Sequence, residues 1–222
     1  NTGVATVSNS GVITAVAEGT TTIRIEYAPS NSGYCHKILY LTVNVNDGCA
    51  KIGTGATASS SGTYGGIYTY VNYYAYTQQL YTAAELTAAG AFAGTLSSLA
   101  LHYAETSTNA LSFEVYVGFT SQTAVPTSWI SDANLTLVYS GTISFINEWT
   151  SIDISSAGLY WDGTSNILVA MRRTSNTTPS GTSYPDFYYT SVNNMTAYCS
   201  NSSSLITLDG NNVSTSTGTT TR

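Results

Sequence analysis

The residues best suited to chemistry in this chain are its tyrosines and its few carboxylates. It holds 18 Tyr against 5 Phe and 3 Trp. A tyrosine ring offers a flat apolar face with a polar tip, which suits stacking on a sugar ring while hydrogen-bonding its hydroxyls. Two clusters stand out, Tyr68 to Tyr76 and Tyr184 to Tyr189, the second joined by Phe187. In the first, Tyr68, Tyr70, Tyr74 and Tyr76 share one phase of an extended strand, while Tyr73 takes the other. The site expected from this pattern is a groove or face lined by Tyr68, Tyr70, Tyr74, Tyr188 and Tyr189. The plain alternative is that tyrosine replaces Phe and Leu at the core margins, since aromatics are favoured in strands anyway.

Glu114, Glu148, Asp153, Asp162 and Asp186 are the carboxylates that could supply a glycosidase acid and nucleophile. Each has a simpler role. Asp162 precedes Gly163 in a turn, Glu148 follows Asn147 in a hairpin loop, and Glu114 and Asp153 fall on the outward phase of strands. The two histidines are His36, beside Cys35, and His102 in the run LALHYAE. His102 alternates with Leu101 and Tyr103, so it points to the polar side of its strand. Neither a GxSxG elbow nor an HExxH helix is present. The run Gly53-Thr54-Gly55-Ala56-Thr57-Ala58 matches a dinucleotide fingerprint by letter, but a Ser/Gly run follows where that motif needs a helix. Sandwich folds often hold a structural calcium, yet no DxDxDG loop appears, and no cofactor is implied.

Strands must position these side chains. In LYWDGTSNILVAM (Leu159 to Met171), Asp162-Gly163 marks a turn between two apolar runs. After it Ile167, Val169 and Met171 alternate with Leu168, Ala170 and Arg172. This predicts a mid-sandwich strand over 166–173, covered on one face and half covered on the other. Trp161 is placed to close one end of such a core. Further strands are predicted at 96–104, 112–119, 135–145, 149–154, 184–190, 195–199 and 204–208, with Phe113, Val115, Val117 and Phe119 facing one way. TAAEL (Thr82 to Leu86) is the one helical turn, too short to stand alone. Earlier, Thr21, Ile23, Ile25 and Tyr27 form one alternation and Leu39, Leu41, Val43 and Val45 a second.

Hydrophobic residues make up 42% of the 222 residues and charged ones only 8%, against roughly 25% in an ordinary domain. Solubility then rests on Ser, Thr, Asn and Gly, a habit of secreted β-proteins. With 12 acidic and 6 basic residues the net charge is −6, which argues against nucleic acid as a partner. No apolar run is long enough for a membrane-spanning helix, so direct membrane insertion is not expected. Cys35, Cys49 and Cys199 are an odd set in which a Cys49–Cys199 bridge is conceivable and free thiols are the simpler reading.

The run VATVSNSGVITAVAEGTTTIRI and the closing strand LYLTVNV resemble the C-terminal half of the bacterial immunoglobulin-like group 2 family. That resemblance implies a spacer or adhesive repeat of a long surface protein, here without its first strands. The runs IGTGATAS, YAYTQQLYTAAEL, LTLVYSGTI, EWTSIDI and LYWDGTSNILVAM, across residues 51 to 190, resemble a β-sandwich module recurrent in secreted and surface proteins of the Bacteroidetes. Such modules resemble carbohydrate-binding and adhesin domains.

The expectation is therefore an all-β chain. A partial immunoglobulin-like β-sandwich over 1–48 precedes a larger jelly-roll-like β-sandwich over 49–222 that lacks its last strand. The whole reads as a portion of a longer extracellular or cell-surface polypeptide. The expected role is a non-catalytic adhesin or ligand-binding module directed at a glycan or other surface ligand. Alternatives are a structural subunit or spacer of an extracellular filament or phage tail fibre, and an accessory domain of a surface hydrolase. Half a sandwich leaves strand edges open, so strand exchange with a neighbouring chain or a missing segment is also expected.

Overall fold

Short apolar–polar alternations bounded by turns fold here as antiparallel ladders. The computed structural model describes residues 2–27, 37–45, 48–53, 55, 57–58, 74–104, 110–125, 129–146, 148–175, 187–192, 194–209 and 220–221. Among these residues the structure is all-β apart from one short helix and two single 3-10 turns. It divides into two compact units, Asn1–Ala50 and Lys51–Arg222.

Among its described residues the smaller unit holds two ladders. β1 (Ala5–Val7) pairs with β2 (Ile13–Ala15) across a turn in which Gly11 takes a φ of +83°. β3 (Gly19–Tyr27) pairs with β4 (Lys37–Val45) over nine residues, with Ile23 opposite Leu41 and Ile25 opposite Leu39. That apolar face stays largely open to solvent, and Leu39 is 54% exposed. The other face is held by Thr20 Oγ1 donating to Asn44 Oδ1 at 2.8 Å and by an Arg24–Glu26 ion pair at 2.6 Å.

In the larger unit the strands are β5 (Thr57–Ala58), β6 (Tyr74–Tyr81), β7 (Gly94–Thr95), β8 (Ser98–Tyr103), β9 (Leu111–Thr120) and β10 (Leu135–Ile143). They are followed by β11 (Glu148–Asp153), β12 (Tyr160–Trp161), β13 (Asn166–Arg173), β14 (Tyr188–Tyr189), β15 (Ser191–Val192), β16 (Thr196–Asn201) and β17 (Thr220–Thr221). One layer is a five-stranded sheet in the order β10-β9-β13-β6-β16. The antiparallel β8–β11 ladder forms the facing layer. The chain crosses between layers after β6, β8, β10 and β11, which is a jelly-roll-like winding.

The main core lies between the two layers. Phe113, Val115, Val117, Val169 and Met171 from the sheet meet Leu99, Leu101, Tyr103 and Ile152 from the ladder, with Phe145 and Trp161 closing the ends. Phe113, Val115, Val117 and Phe119 do share one face, as their alternation requires. Helix α1 (Ala83–Ala88) is stabilised by a capping box: the Thr82 hydroxyl accepts from Glu85 N–H, and the Glu85 carboxylate accepts from Thr82 N–H.

Three features depart from the sequence reading. Strand β13 is buried on both faces, because Leu168 and Ala170 are covered from outside by Val125, Ile130 and Ile206. Residues 204–208 do not form a strand. They turn over the outer face of the sheet, pinned by the buried Ile206 side chain and by Arg172 Nη1 donating to Ile206 O at 3.1 Å. Strand β6 runs to Tyr81 through buried Gln78 and Gln79. Gln78 belongs there because its amide bonds both ways to Ile130, accepting from N–H and donating to the carbonyl at 2.9 Å each. In line with the simpler reading of the cysteines, Cys199 is a buried free thiol and no Cys49–Cys199 bridge forms; burial pushes its pKa up to about 12.

The Asp162 turn forms as its residue types require. Asp162 Oδ1 accepts from the N–H groups of Thr164 and Ser165 at 2.8 and 2.7 Å, and Oδ2 accepts from the Ser165 hydroxyl at 2.7 Å. Trp161 Nε1 donates to Ser165 O at 2.7 Å, tying the turn to the core. These bonds hold the Asp162 carboxyl well below the usual carboxylate range.

Two predictions follow from this packing. Leu168 is 2% exposed and Val169 7%, on opposite faces of one strand. Either Leu168→Asp or Val169→Asp should unfold the larger unit, since a buried unpaired carboxylate costs several kcal/mol of a total near ~5–15 kcal/mol. A variant that melts like the parent would contradict the two-sided burial. The folded Asp162 carboxyl ionises more readily than the unfolded one, so its contribution is complete above the ordinary value of 3.8 and fades as pH falls through the lower folded value. Asp162→Asn should therefore lower Tm at pH 6, and its deficit against the parent should narrow in strong acid.

Candidate ligand-binding site

Register decides what the ladder presents to solvent. In β8 and β11, His102 lies opposite Trp149, Leu101 opposite Thr150 and Ala100 opposite Ser151. Leu99, Leu101, Tyr103, Thr150 and Ile152 turn inward, so the intervening residues must turn outward. His102 and Trp149 thus stand side by side on the outer face, with ring centroids 4.6 Å apart and planes 8° from parallel. Tyr188 of β14 stacks on the same imidazole, at 4.1 Å and 27°.

The result is a three-ring row, Trp149–His102–Tyr188. His102 is covered on both sides, and each end ring gives one face to the stack. Trp149 remains 41% exposed, a large amount for a tryptophan. Beside it, Glu148 is exposed and takes a φ of +83°. A non-glycine residue in the left-handed region stores strain, and such residues concentrate at functional sites.

A glycine-rich segment packs against the far end of the row. Gly55 has a φ of +54°, and a Cβ there would lie 3.4 Å from His102 Nδ1 and 3.7 Å from Tyr188 Cβ. Gly53 has a φ of +88°, and a Cβ would fall 2.2 Å from Thr190 Oγ1. These two glycines therefore serve close backbone packing beside β14, which explains the spacing that mimics a dinucleotide fingerprint.

The expected tyrosine face is distributed differently. Tyr188 enters the aromatic row. Tyr189, half-buried, takes the opposite phase of β14. Tyr74, half-buried at the start of β6, packs with Tyr76 and Cys199 on the outer face of the five-stranded sheet, in the other layer from Tyr188. Tyr68 and Tyr70 lie outside the described residues. Trp149 is the site residue that tyrosine counting passes over. Its signal was the run EWTSID, where it shares a phase with Ser151 and Asp153 and not with Ile152.

The outer face of the five-stranded sheet holds a second polar–aromatic group. Arg172 Nε donates to Glu114 Oε2 at 2.8 Å, its Nη2 also donates to Glu114, and the Tyr116 hydroxyl donates to the same oxygen at 2.7 Å. Burial, with the Glu114 bond second, pushes the Tyr116 hydroxyl up to about 12. Tyr76 packs against Trp129 with centroids 4.8 Å apart and planes tilted by 38°, and burial raises its hydroxyl as well. The Ile206 segment covers this group.

Asp153 and Asp162 have structural partners. Asp153 Oδ1 accepts from Ser155 N–H at 2.9 Å, and Asp162 closes its own turn. Asp186 lies outside the described residues. Among the described residues no group of His, Cys, Asp and Glu is arranged to hold a metal ion, and no helix is long and apolar enough to cross a membrane.

No protein-family model and no curated protein sequence matches the chain. Among solved structures it is similar to the cysteine protease and lectin-like domains of a surface layer associated protein of Clostridium difficile, at a TM-score of 0.34 and 12% identity. That match covers 59% of this chain and 27% of the other, so the chain spans about a quarter of its length.

Gly53→Ala places a methyl group against Thr190 in a backbone conformation that alanine disfavours. Unfolding experiments should show a loss of about 1–3 kcal/mol. A loss within the ±0.5 kcal/mol typical of neutral surface substitutions would contradict the close packing of this segment on β14.

Proposed function

We propose that this chain is a non-catalytic, glycan-directed binding module of a secreted or cell-surface protein. The observation that carries the reading is the exposed Trp149 ring, held on the solvent face of β11 by its stack on His102. A fixed, exposed indole with one face engaged suits the C–H face of a sugar ring. Glu114, Asp153 and Asp162 each serve a structural partner, which supports a binding role over a hydrolytic one. The scarcity of charge, with polarity carried by Ser, Thr, Asn and Gly, supports an extracellular setting. In this reading residues 1–48 are part of an immunoglobulin-like group 2 repeat and the larger unit is a sandwich module of the Bacteroidetes surface type.

A structural spacer or filament subunit is the second reading. The open Ile25, Leu39 and Leu41 face of the smaller unit favours it, because such a face is normally covered.

Glycan-array screening followed by titration of tryptophan fluorescence tests the first reading. Trp149→Ala should weaken binding by about two- to tenfold, since an aromatic contact contributes about 0.5–1.5 kcal/mol and 1.4 kcal/mol is tenfold. Trp149→Phe should retain part of the affinity. An array without binders, or unchanged affinity in Trp149→Ala, would contradict it.

A further inference from the structure

We propose that the ligand is a neutral, extended oligosaccharide lying along β11, with one sugar unit on Trp149 and the next units over Ser151 and Asp153. This rests on the glycan reading above and adds chain length, direction and charge to it. Trp149, Ser151 and Asp153 all lie on the outward phase of the strand. At about 3.3 Å per residue, Ser151 sits roughly 6.6 Å and Asp153 roughly 13 Å from Trp149 along the strand. That reach is too long for one sugar ring and suits a short run of them.

The neighbouring strand leaves this path open. Ala100 lies opposite Ser151 and Ser98 opposite Asp153, both exposed, so no bulky side chain blocks a ligand laid on the sheet. The imidazole and phenol rings stand to one side of Trp149. A sugar chain leaving the indole face can run along β11 toward Asp153. A straight course on a strand suits extended β-1,4 linkages over coiled ones.

The polar groups along this course set the ligand's charge. The Ser151 hydroxyl can donate and accept, while the Asp153 carboxylate accepts only. Ser155 fixes Asp153 and holds its carboxyl below the usual range. Sugar hydroxyls are donors that match a carboxylate, and such bonds are stronger than neutral ones. Strands β8, β11 and β14 carry no Lys or Arg, whereas Glu148 and Asp153 are both acidic. An anionic glycan would be repelled.

The test is calorimetric titration with β-1,4-linked glucan, xylan and mannan fragments from monosaccharide to hexasaccharide, with oligogalacturonate as the anionic counterpart. At least one neutral series should tighten by about tenfold or more from monosaccharide to trisaccharide and then level off. Asp153→Asn and Ser151→Ala, checked for unchanged melting, should each weaken the trisaccharide several-fold and leave the monosaccharide unaffected. Asp153→Lys should admit oligogalacturonate. If binding depends on Trp149 but not on chain length or Asp153, the course along β11 is wrong and the glycan reading stands. If no series binds, or Trp149→Ala binds like the parent, both fail.

Discussion

Apolar contact between the five-stranded sheet and the β8–β11 ladder determines where every other group in the larger unit goes. Leu99, Leu101, Tyr103 and Ile152 must reach Val115, Val117, Val169 and Met171 to leave water, and that burial supplies the dominant favourable term. A strand has a side-chain period of two, so sending these residues inward sends His102 and Trp149 outward. The antiparallel register then sets the two rings opposite one another. The aromatic row is thus a consequence of the core. A one-residue slip of β8 would bury the imidazole and expose Tyr103.

The same logic explains what could be read from the chain and what could not. Strands β9 and β13 were legible because their apolar residues alternate cleanly. Phe113, Val115 and Val117 share a face as do Val169 and Met171. Strand β6 was harder, because Thr77, Gln78 and Gln79 are buried polar residues that read as surface. Gln78 is accommodated by a partner fifty-two positions away, Ile130, which no local pattern reveals. The segment 204–208 erred the other way. Its apolar residues suggested a strand, yet Ile206 acts as a single plug over the outer face of the sheet.

Site residues were legible only in part. Tyrosine abundance led to Tyr188, which does join the row, and also to Tyr74, which packs in the opposite layer. The pairing of His102 with Trp149 needed the ladder register, a long-range property fixed by the core. Local alternation did place His102 on the outer side of its strand. Gly53 and Gly55 show the complementary lesson. Their spacing invites a phosphate-binding reading, but their positive φ angles and the nearness of Thr190 and His102 assign them to backbone packing.

Tryptophan makes the central claim directly measurable, since the three indoles occupy different places. Trp161 is buried in the main core, Trp129 packs at a tilt against Tyr76, and Trp149 is exposed on β11. Two-dimensional NMR resolves their three Nε1–H signals during titration with a neutral trisaccharide. The account predicts that the Trp149 signal and the His102 ring protons move together and saturate while those of Trp129 and Trp161 stay fixed. Saturable shifts at Trp129 with a still Trp149 would contradict it, because the ligand would then occupy the opposite face of the sandwich.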